Sequence, residues 1–175
     1  SKDGFTLGLK LVRGAYILSD NRALIHDTKQ DTDDAYNTIS QGALKQHIGE
    51  FGDTRPFPSL ELFLASHNRE SLLAALRLHQ ERVRENKPTV NVSFGQLHGM
   101  SDEVSFSLLQ ETKQGAVGPG VFKCSTWGSM SECLAYLVRR AVENRDAVLR
   151  TTEEYAALKS ETWRRIKTIF GGVAA

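Results

Sequence analysis

Tyr136, Arg139, Arg140 and Glu143 stand at i, i+3, i+4 and i+7 in the segment Tyr136-Leu137-Val138-Arg139-Arg140-Ala141-Val142-Glu143-Asn144. On a helix that spacing puts all four on one face. Leu134, Leu137, Val138 and Ala141 fall on the opposite side, where they can pack. Two guanidiniums side by side offer planar forks of donors that suit a carboxylate or a phosphate. A tyrosine beside them adds an apolar wall with a polar tip. The face suits a small carboxylic acid with an apolar body. It equally suits a solvated surface on which Glu143 pairs with Arg139 or Arg140.

Four further places carry glycines, histidines and side-chain donors. They are Arg13-Gly14-Ala15-Tyr16, Ser66-His67-Asn68, Gln96-Leu97-His98-Gly99-Met100 and Cys124-Ser125-Thr126-Trp127-Gly128. Each follows a strand-like run: Leu7–Val12, Leu60–Ala65, Thr89–Phe94 and Val121–Cys124. Helical patterns alternate with these runs. One opens at Thr32, followed by Asp33 and Asp34, with Tyr36, Ile39, Ala43 and Leu44 in period. A second is capped by Asn68 and runs to Glu85, with Leu72, Leu76, His79 and Val83 on one stripe. Ser101 opens a third, and Ser129-x-x-Glu132 is a capping box before a fourth that ends near Asn144. Thr151-x-x-Glu154 opens a last one through Phe170, with Tyr155, Leu158, Ile166, Ile169 and Phe170 on one broad side. Strand alternating with helix predicts an α/β fold with a parallel sheet. Ligands of such sheets bind at the carboxyl ends of the strands, which is where the four polar places fall.

The ordered set of motifs resembles the proline dehydrogenase family. Lys10-Leu11-Val12-Arg13-Gly14-Ala15-Tyr16 resembles a strand motif of that family, and Thr32-Asp33-x-x-Tyr36-Asn37 its following segment. Ala65-Ser66-His67-Asn68, Phe94-Gly95-Gln96-Leu97-His98-Gly99-Met100 and the helix from Tyr136 to Asn144 match in family order, over most of residues 5–145. Lys10 and the form of the Phe94–Met100 segment look most like the mitochondrial branch. The resemblance implies the carboxyl-terminal half of a (β/α)8, TIM-like barrel over residues 1–150, with a helix over 151–175 packed on it.

It also implies an activity: FAD-dependent oxidation of L-proline to 1-pyrroline-5-carboxylate, with electrons passed to a quinone. By the same resemblance, Arg139 and Arg140 bind the carboxylate, Tyr136 and Leu97 wall the proline ring, and Glu143 positions the arginines. Lys10 is the catalytic cation beside the flavin. Arg13, Gly14, Ala15, Ser66 and His67 contact the cofactor. The implied location is the matrix side of the inner mitochondrial membrane, with peripheral membrane association. Two departures stand out: Cys124 occupies a position where many members carry tyrosine, and Lys10 replaces the arginine of the bacterial bifunctional enzymes.

Length and charge bound these readings. A complete barrel needs on the order of 250 residues, and the chain has 175. The segment is therefore expected to be inactive alone, and to expose strand edges at 7–12 and 121–124 through which a homo-oligomer could form. The alternative from that deficit is a non-catalytic half-barrel interaction module; an unrelated α/β carboxylate-binding protein is a third reading. Lys and Arg number 22 against 21 Asp and Glu, a balance that argues against nucleic acid as the partner. Cys124 and Cys133 lack the partners and spacing of a zinc site, so no metal is expected. The start shows neither an Arg-rich transit region nor a secretory apolar core.

Overall fold

Leu60-Glu61-Leu62-Phe63-Leu64-Ala65 alternates apolar side chains, and it lies at the centre of the structure for that reason. In the computed structural model, residues 4–14, 17, 20–112, 118–143 and 151–170 are described. The elements are β1 (Leu7–Val12), α1 (Lys29–Lys45), β2 (Leu60–Ala65), α2 (Arg69–Arg84), β3 (Asn91–Leu97), α3 (Asp102–Thr112), β4 (Val121–Cys124), α4 (Met130–Glu143) and α5 (Thr151–Phe170). A short 3-10 turn spans Arg22–Leu24. Four parallel strands pair in the order β1-β2-β3-β4. The architecture is α/β with helical crossovers, consistent with part of a TIM-like barrel. Among the described residues β1 and β4 are the sheet edges, as expected.

The described chain forms two compact units. The first holds the sheet and ends at Cys124; the second takes Ser101–Glu103 and the residues from Ser125 on. In the first, one sheet face is covered by helices. Leu60, Leu62 and Leu64 of β2 and Val92 and Phe94 of β3 are buried there against Ala43 and Leu44 of α1, Leu72 and Leu76 of α2, and Val104 and Leu108 of α3. The other face carries Lys10, Phe63, Ser93 and Phe122, none of them buried. Side chains along a strand alternate between faces, so this partition follows directly from the positions of the leucines.

Three local expectations change. α1 begins at Lys29, one turn before Thr32. Thr28 is its cap: the Thr28 hydroxyl oxygen accepts from the Asp31 N–H at 3.1 Å, and Asp31 accepts from the Thr28 N–H at 3.2 Å. The Thr28 hydroxyl also donates to Asp31 at 2.7 Å. These bonds, the hydroxyl's first, hold the Asp31 carboxyl below its usual range. This reciprocal box wins because it satisfies more terminal donors than Thr32 could from inside the helix. β3 runs three residues further than Phe94, because Phe94–Leu97 pair with Val121–Cys124. Gln96 and Leu97 therefore belong to the strand and not to the turn after it. On α2 the buried stripe is Leu72, Leu73, Ala75 and Leu76, while Val83 is exposed.

The second unit contains α4 and α5. α4 is opened as expected by Ser129 and Glu132: the Ser129 N–H and hydroxyl donate to the Glu132 carboxylate at 2.9 and 2.6 Å. Its apolar side, Leu134, Leu137 and Val138, is exposed rather than packed. In α5, Glu161 accepts from both Arg164 and Arg165, and these bonds pull its carboxyl down to about 2. Tyr155 and Leu158 are exposed, and the side chains of Ile169 and Phe170 lie outside the described residues. No helix is long and apolar enough to cross a membrane among the described residues.

The cap makes a clear expectation. Thr28→Ala should lower stability by about 1 kcal/mol in urea unfolding, whereas Thr32→Ala should cost well under half of that. A second concerns His79, half-buried on α2 with Thr89 Oγ1 3.4 Å from Nδ1. Burial lowers its pKa from the ordinary 6.5. The folded chain therefore binds that proton less readily than the unfolded chain. His79's contribution should be fully present above pH 6.5 and be lost progressively as pH falls below it. The wild type's melting temperature should fall more steeply than that of His79→Gln between neutral pH and pH 5.5.

Candidate functional site

The carboxyl ends of the four strands gather Arg13, Gly14, Ser66, His67, Leu97 and Cys124 on one edge of the sheet. The register aligns them: Val12 lies beside Ala65, Ala65 beside Gly95, Gly95 beside Phe122, and Leu97 beside Cys124. The His98 N–H donates to the Cys124 carbonyl at 2.9 Å, extending the ladder past the last strand. Lys123 Nζ donates to the Met100 carbonyl at 2.7 Å and ties β4 to the β3–α3 turn.

Parity sorts these residues onto two faces. Lys10 is exposed on the open face, directly opposite Phe63. Phe63 and Phe122 flank Gly95, their ring centroids 6.1 Å apart and the planes tilted by 37°. A Cβ at Gly95 would come within 2.6 Å of the Phe63 ring, so a larger residue there would displace that ring. Leu97 and Cys124 continue the same face toward the strand ends. The open face thus presents a cation, two aromatic rings and small or aliphatic side chains, with Glu61 and Asn91 at its amino-terminal end.

Arg13 falls on the helix side with Leu9 and Leu11. Its guanidinium pairs with Asp33 Oδ1 at 3.0 Å and donates to Ser71 Oγ at 2.9 Å. It also lies over the Tyr36 ring, 4.7 Å from the centroid. Both Arg13 and Asp33 side chains are near one-seventh exposed, at 14% and 13%. Lys29, 82% exposed, shares the same carboxylate through Oδ2 at 2.7 Å. Tyr36 is 3% exposed. Burial pushes its phenol above the ordinary value, against smaller downward pulls from Arg13 and from Ser66. From the sequence, Asp33 is a favourable charge near a helix start, Tyr36 a position in the helical period, and both are members of the Thr32–Asn37 motif with no site role attached. Their i, i+3 spacing on α1 was the available signal that both could meet one partner.

Ser66 is buried, and its hydroxyl oxygen accepts from the Asn68 N–H at 3.1 Å. Asn68 in turn caps α2, its side chain accepting from the Ser71 N–H at 3.0 Å. Gln96, buried on β3, donates to the Ser66 carbonyl at 3.4 Å and accepts from the Ser105 hydroxyl at 2.8 Å. His67 is half-exposed beside this network. Gly14 has φ of +62°, a backbone conformation that favours glycine, and among the described residues nothing stands within 4 Å of where a Cβ would be. Ala15 lies outside the described residues.

On α4 the structure brings Tyr136 and Arg140 together. The Arg140 guanidinium carbon sits 5.4 Å from the Tyr136 ring centroid. Arg139 is exposed next to them, and the side chain of Glu143 lies outside the described residues. Trp127, just before this helix, is 96% exposed.

A family model described as proline dehydrogenase matches residues 1–153. The chain belongs to that family. It is 35% identical over 173 residues to the probable mitochondrial proline dehydrogenase of Schizosaccharomyces pombe, covering 94% of this chain and 35% of that protein. It is 35% identical over 170 residues to the hydroxyproline dehydrogenase of Homo sapiens, 93% of this chain and 34% of that protein. Proline dehydrogenase 1, mitochondrial, of Dictyostelium discoideum is 33% identical over 175 residues, 94% and 28% of the two chains. The chain thus spans about a third of the length of these curated relatives. No solved structure gives a significant match.

Within this proline dehydrogenase family chain, the pairing of Arg13 with Asp33 can be separated from that of Lys29. Arg13→Ala leaves a mostly buried carboxylate with only its exposed partner, and should cost about 2 kcal/mol in urea unfolding. Lys29→Ala removes a solvent-screened charge and should cost less than about 1 kcal/mol.

Proposed function

We propose that these residues supply the carboxyl-terminal half of a (β/α)8 barrel that oxidises L-proline to 1-pyrroline-5-carboxylate with FAD. Residues 1–150 form the half-barrel, and the helix within 151–175 packs on it. The family membership over residues 1–153 carries this reading. The open sheet face fits a flat, bulky ring system. Lys10 offers a positive charge at its border, and Phe63 and Phe122 offer ring surfaces, the Phe63 ring lying over Gly95.

Bound FAD supplies the acceptor for the hydride that leaves the ring carbon next to the proline nitrogen. The chain's own residues then have separate tasks. Arg139 and Arg140 hold the substrate carboxylate, each through a charge-assisted fork of donors. Tyr136, fixed against Arg140, walls the proline ring, and Leu97 closes it from the sheet. Glu143 orients the arginines. Lys10 would place a positive charge beside that ring system and so favour its more negative form. The backbone at Arg13 and Gly14 approaches the cofactor, at Gly14 without a Cβ, while Ala15, Ser66 and His67 contact it. As the C–H bond breaks and the C=N bond forms, the substrate's nitrogen proton leaves to solvent. Electrons pass on to a quinone. The proposed setting is the mitochondrion, as in the names of relatives such as those of Schizosaccharomyces pombe and Dictyostelium discoideum, on the matrix side of the inner membrane with peripheral attachment.

The edges β1 and β4 favour a second reading for the 175 residues by themselves: a non-catalytic module that pairs with other strands, including those of another copy. Sedimentation of the 175-residue chain should show association that rises with concentration. A monomer at every concentration counts against that reading.

The catalytic reading is tested by anaerobic mixing of the flavin-loaded holoenzyme carrying these residues with L-proline, and separately with 4-hydroxyproline. Proline should bleach the visible flavin band. The 175 residues alone should not catalyse it. Arg139→Met and Arg140→Met should each raise the half-saturating proline concentration by about 30-fold or more, the loss of a hydrogen-bonded charge. Bleaching by hydroxyproline alone changes the substrate, and bleaching by neither overturns the reading.

A further inference from the structure

The proposed function leaves the best-defined polar cluster of the sheet unit without a task. Arg13 is the one cation at the end of β1 that strand parity turns away from the open face. Three contacts keep it there: Asp33 at 3.0 Å, Ser71 at 2.9 Å and the Tyr36 ring at 4.7 Å, Tyr36 itself being embedded in the apolar layer. Ser71 is a neutral acceptor and Tyr36 a neutral ring, so Asp33 is the only one of these partners with a full opposite charge. Only three residues along the same strand, Lys10 is exposed on the opposite face. An arginine side chain is long enough to swing around a strand end when its anchor is removed, and among the described residues nothing stands within 4 Å of a Cβ built at the next residue, Gly14.

We propose that Asp33 is a positioning residue of the flavin site: it holds Arg13 on the helix side of β1, against Tyr36 and Ser71, and so leaves Lys10 as the cation that β1 presents on the open face. The proposal rests on the flavin reading above. It assigns Arg13 a role through its anchor and not through contact with the cofactor. The number of positive charges facing a flavin matters because each one favours the reduced, more negative ring and raises the reduction potential. Asp33 thereby sets the potential without touching the cofactor. Lys29, which shares the carboxylate at 2.7 Å, is solvated and cannot substitute for Arg13 in this role.

The first test needs no flavin. In the 175-residue chain, a guanidine-directed reagent followed by peptide mass analysis should label Arg13 severalfold faster in Asp33→Asn than in wild type, and Asp33→Glu should restore protection. The second uses the flavin-loaded holoenzyme and reads the midpoint potential. Asp33→Asn should raise it, Asp33→Glu should return it toward wild type, and the Arg13→Gln/Asp33→Asn double variant should also return it, since no cation remains to swing. If Asp33→Asn alone does not fold, Asp33→Ser replaces it in both tests. The double variant removes both charges of the pair, a change that such sites often tolerate. A wild-type potential in it beside a raised one in the single variant supports the proposal; a lowered one shows that Arg13 already acts on the flavin, and overturns it. A shift in melting temperature with unchanged labelling and potential makes the pair purely structural and also overturns it. If wild-type holoenzyme holds no flavin, the functional reading fails and takes this proposal with it, while the labelling still reports where Arg13 lies.

Discussion

Side chains on a strand alternate between two faces, and in this sheet one face must be covered by helices. That constraint governs nearly everything else in the first unit. Leu60, Leu62 and Leu64 occupy one parity of β2, and α1, α2 and α3 bury them. Once that parity is committed, Phe63 must face the other way, and the parallel register carries the choice to β1, β3 and β4. A slip of one residue would exchange the core with the open face along a whole strand, so the register is held by the full apolar content of the layer. The separation of Lys10 from Arg13 follows from this. They are three residues apart, hence on opposite faces, although both are cations in one short motif.

The helices are anchored by local chemistry that sits close to the site. Asn68 caps α2 and also donates its N–H to Ser66, so the cap and the end of β2 are built from adjacent residues. Arg13 joins the end of β1 to α1 through Asp33 and to α2 through Ser71. A parallel sheet with helical crossovers leaves its strand ends as turns, and such turns are held by side chains more than by the ladder. Here the same side chains both complete the helix ends and shape the edge at which ligands of α/β sheets bind.

Most of the architecture was legible from the chain alone. The limits of β1, β2 and β4 and of α5 coincide with those read from apolar runs and turn residues. The errors share a cause: a competing bond that only the folded chain makes visible. Thr28 outcompeted Thr32 because its box with Asp31 is reciprocal. β3 ran on to Leu97 because β4 was there to pair with it, whereas Gly95 and Gln96 resemble a turn when read in isolation. In the candidate site, the residue types of Lys10, Gly14, Ser66, Leu97, Tyr136 and the two arginines were visible from motif order. The Phe63–Gly95–Phe122 arrangement was not, since its members lie on three different strands.

The sequence by itself determined the alternation of strand and helix, the family, and the shared helix face of Tyr136 and Arg140 one turn apart. These are short-range or pattern properties, set by period, capping and residue order. Only the tertiary structure decided which partner each polar side chain takes. Arg13 could have faced either a cofactor or a helix on spacing alone. Its neighbours Asp33, Tyr36 and Ser71 come from 20 to 58 residues away, and the sheet brings them to it. A charge held in a partly buried place needs a counter-charge there, and which carboxylate supplies it is a fact of packing that no local pattern contains.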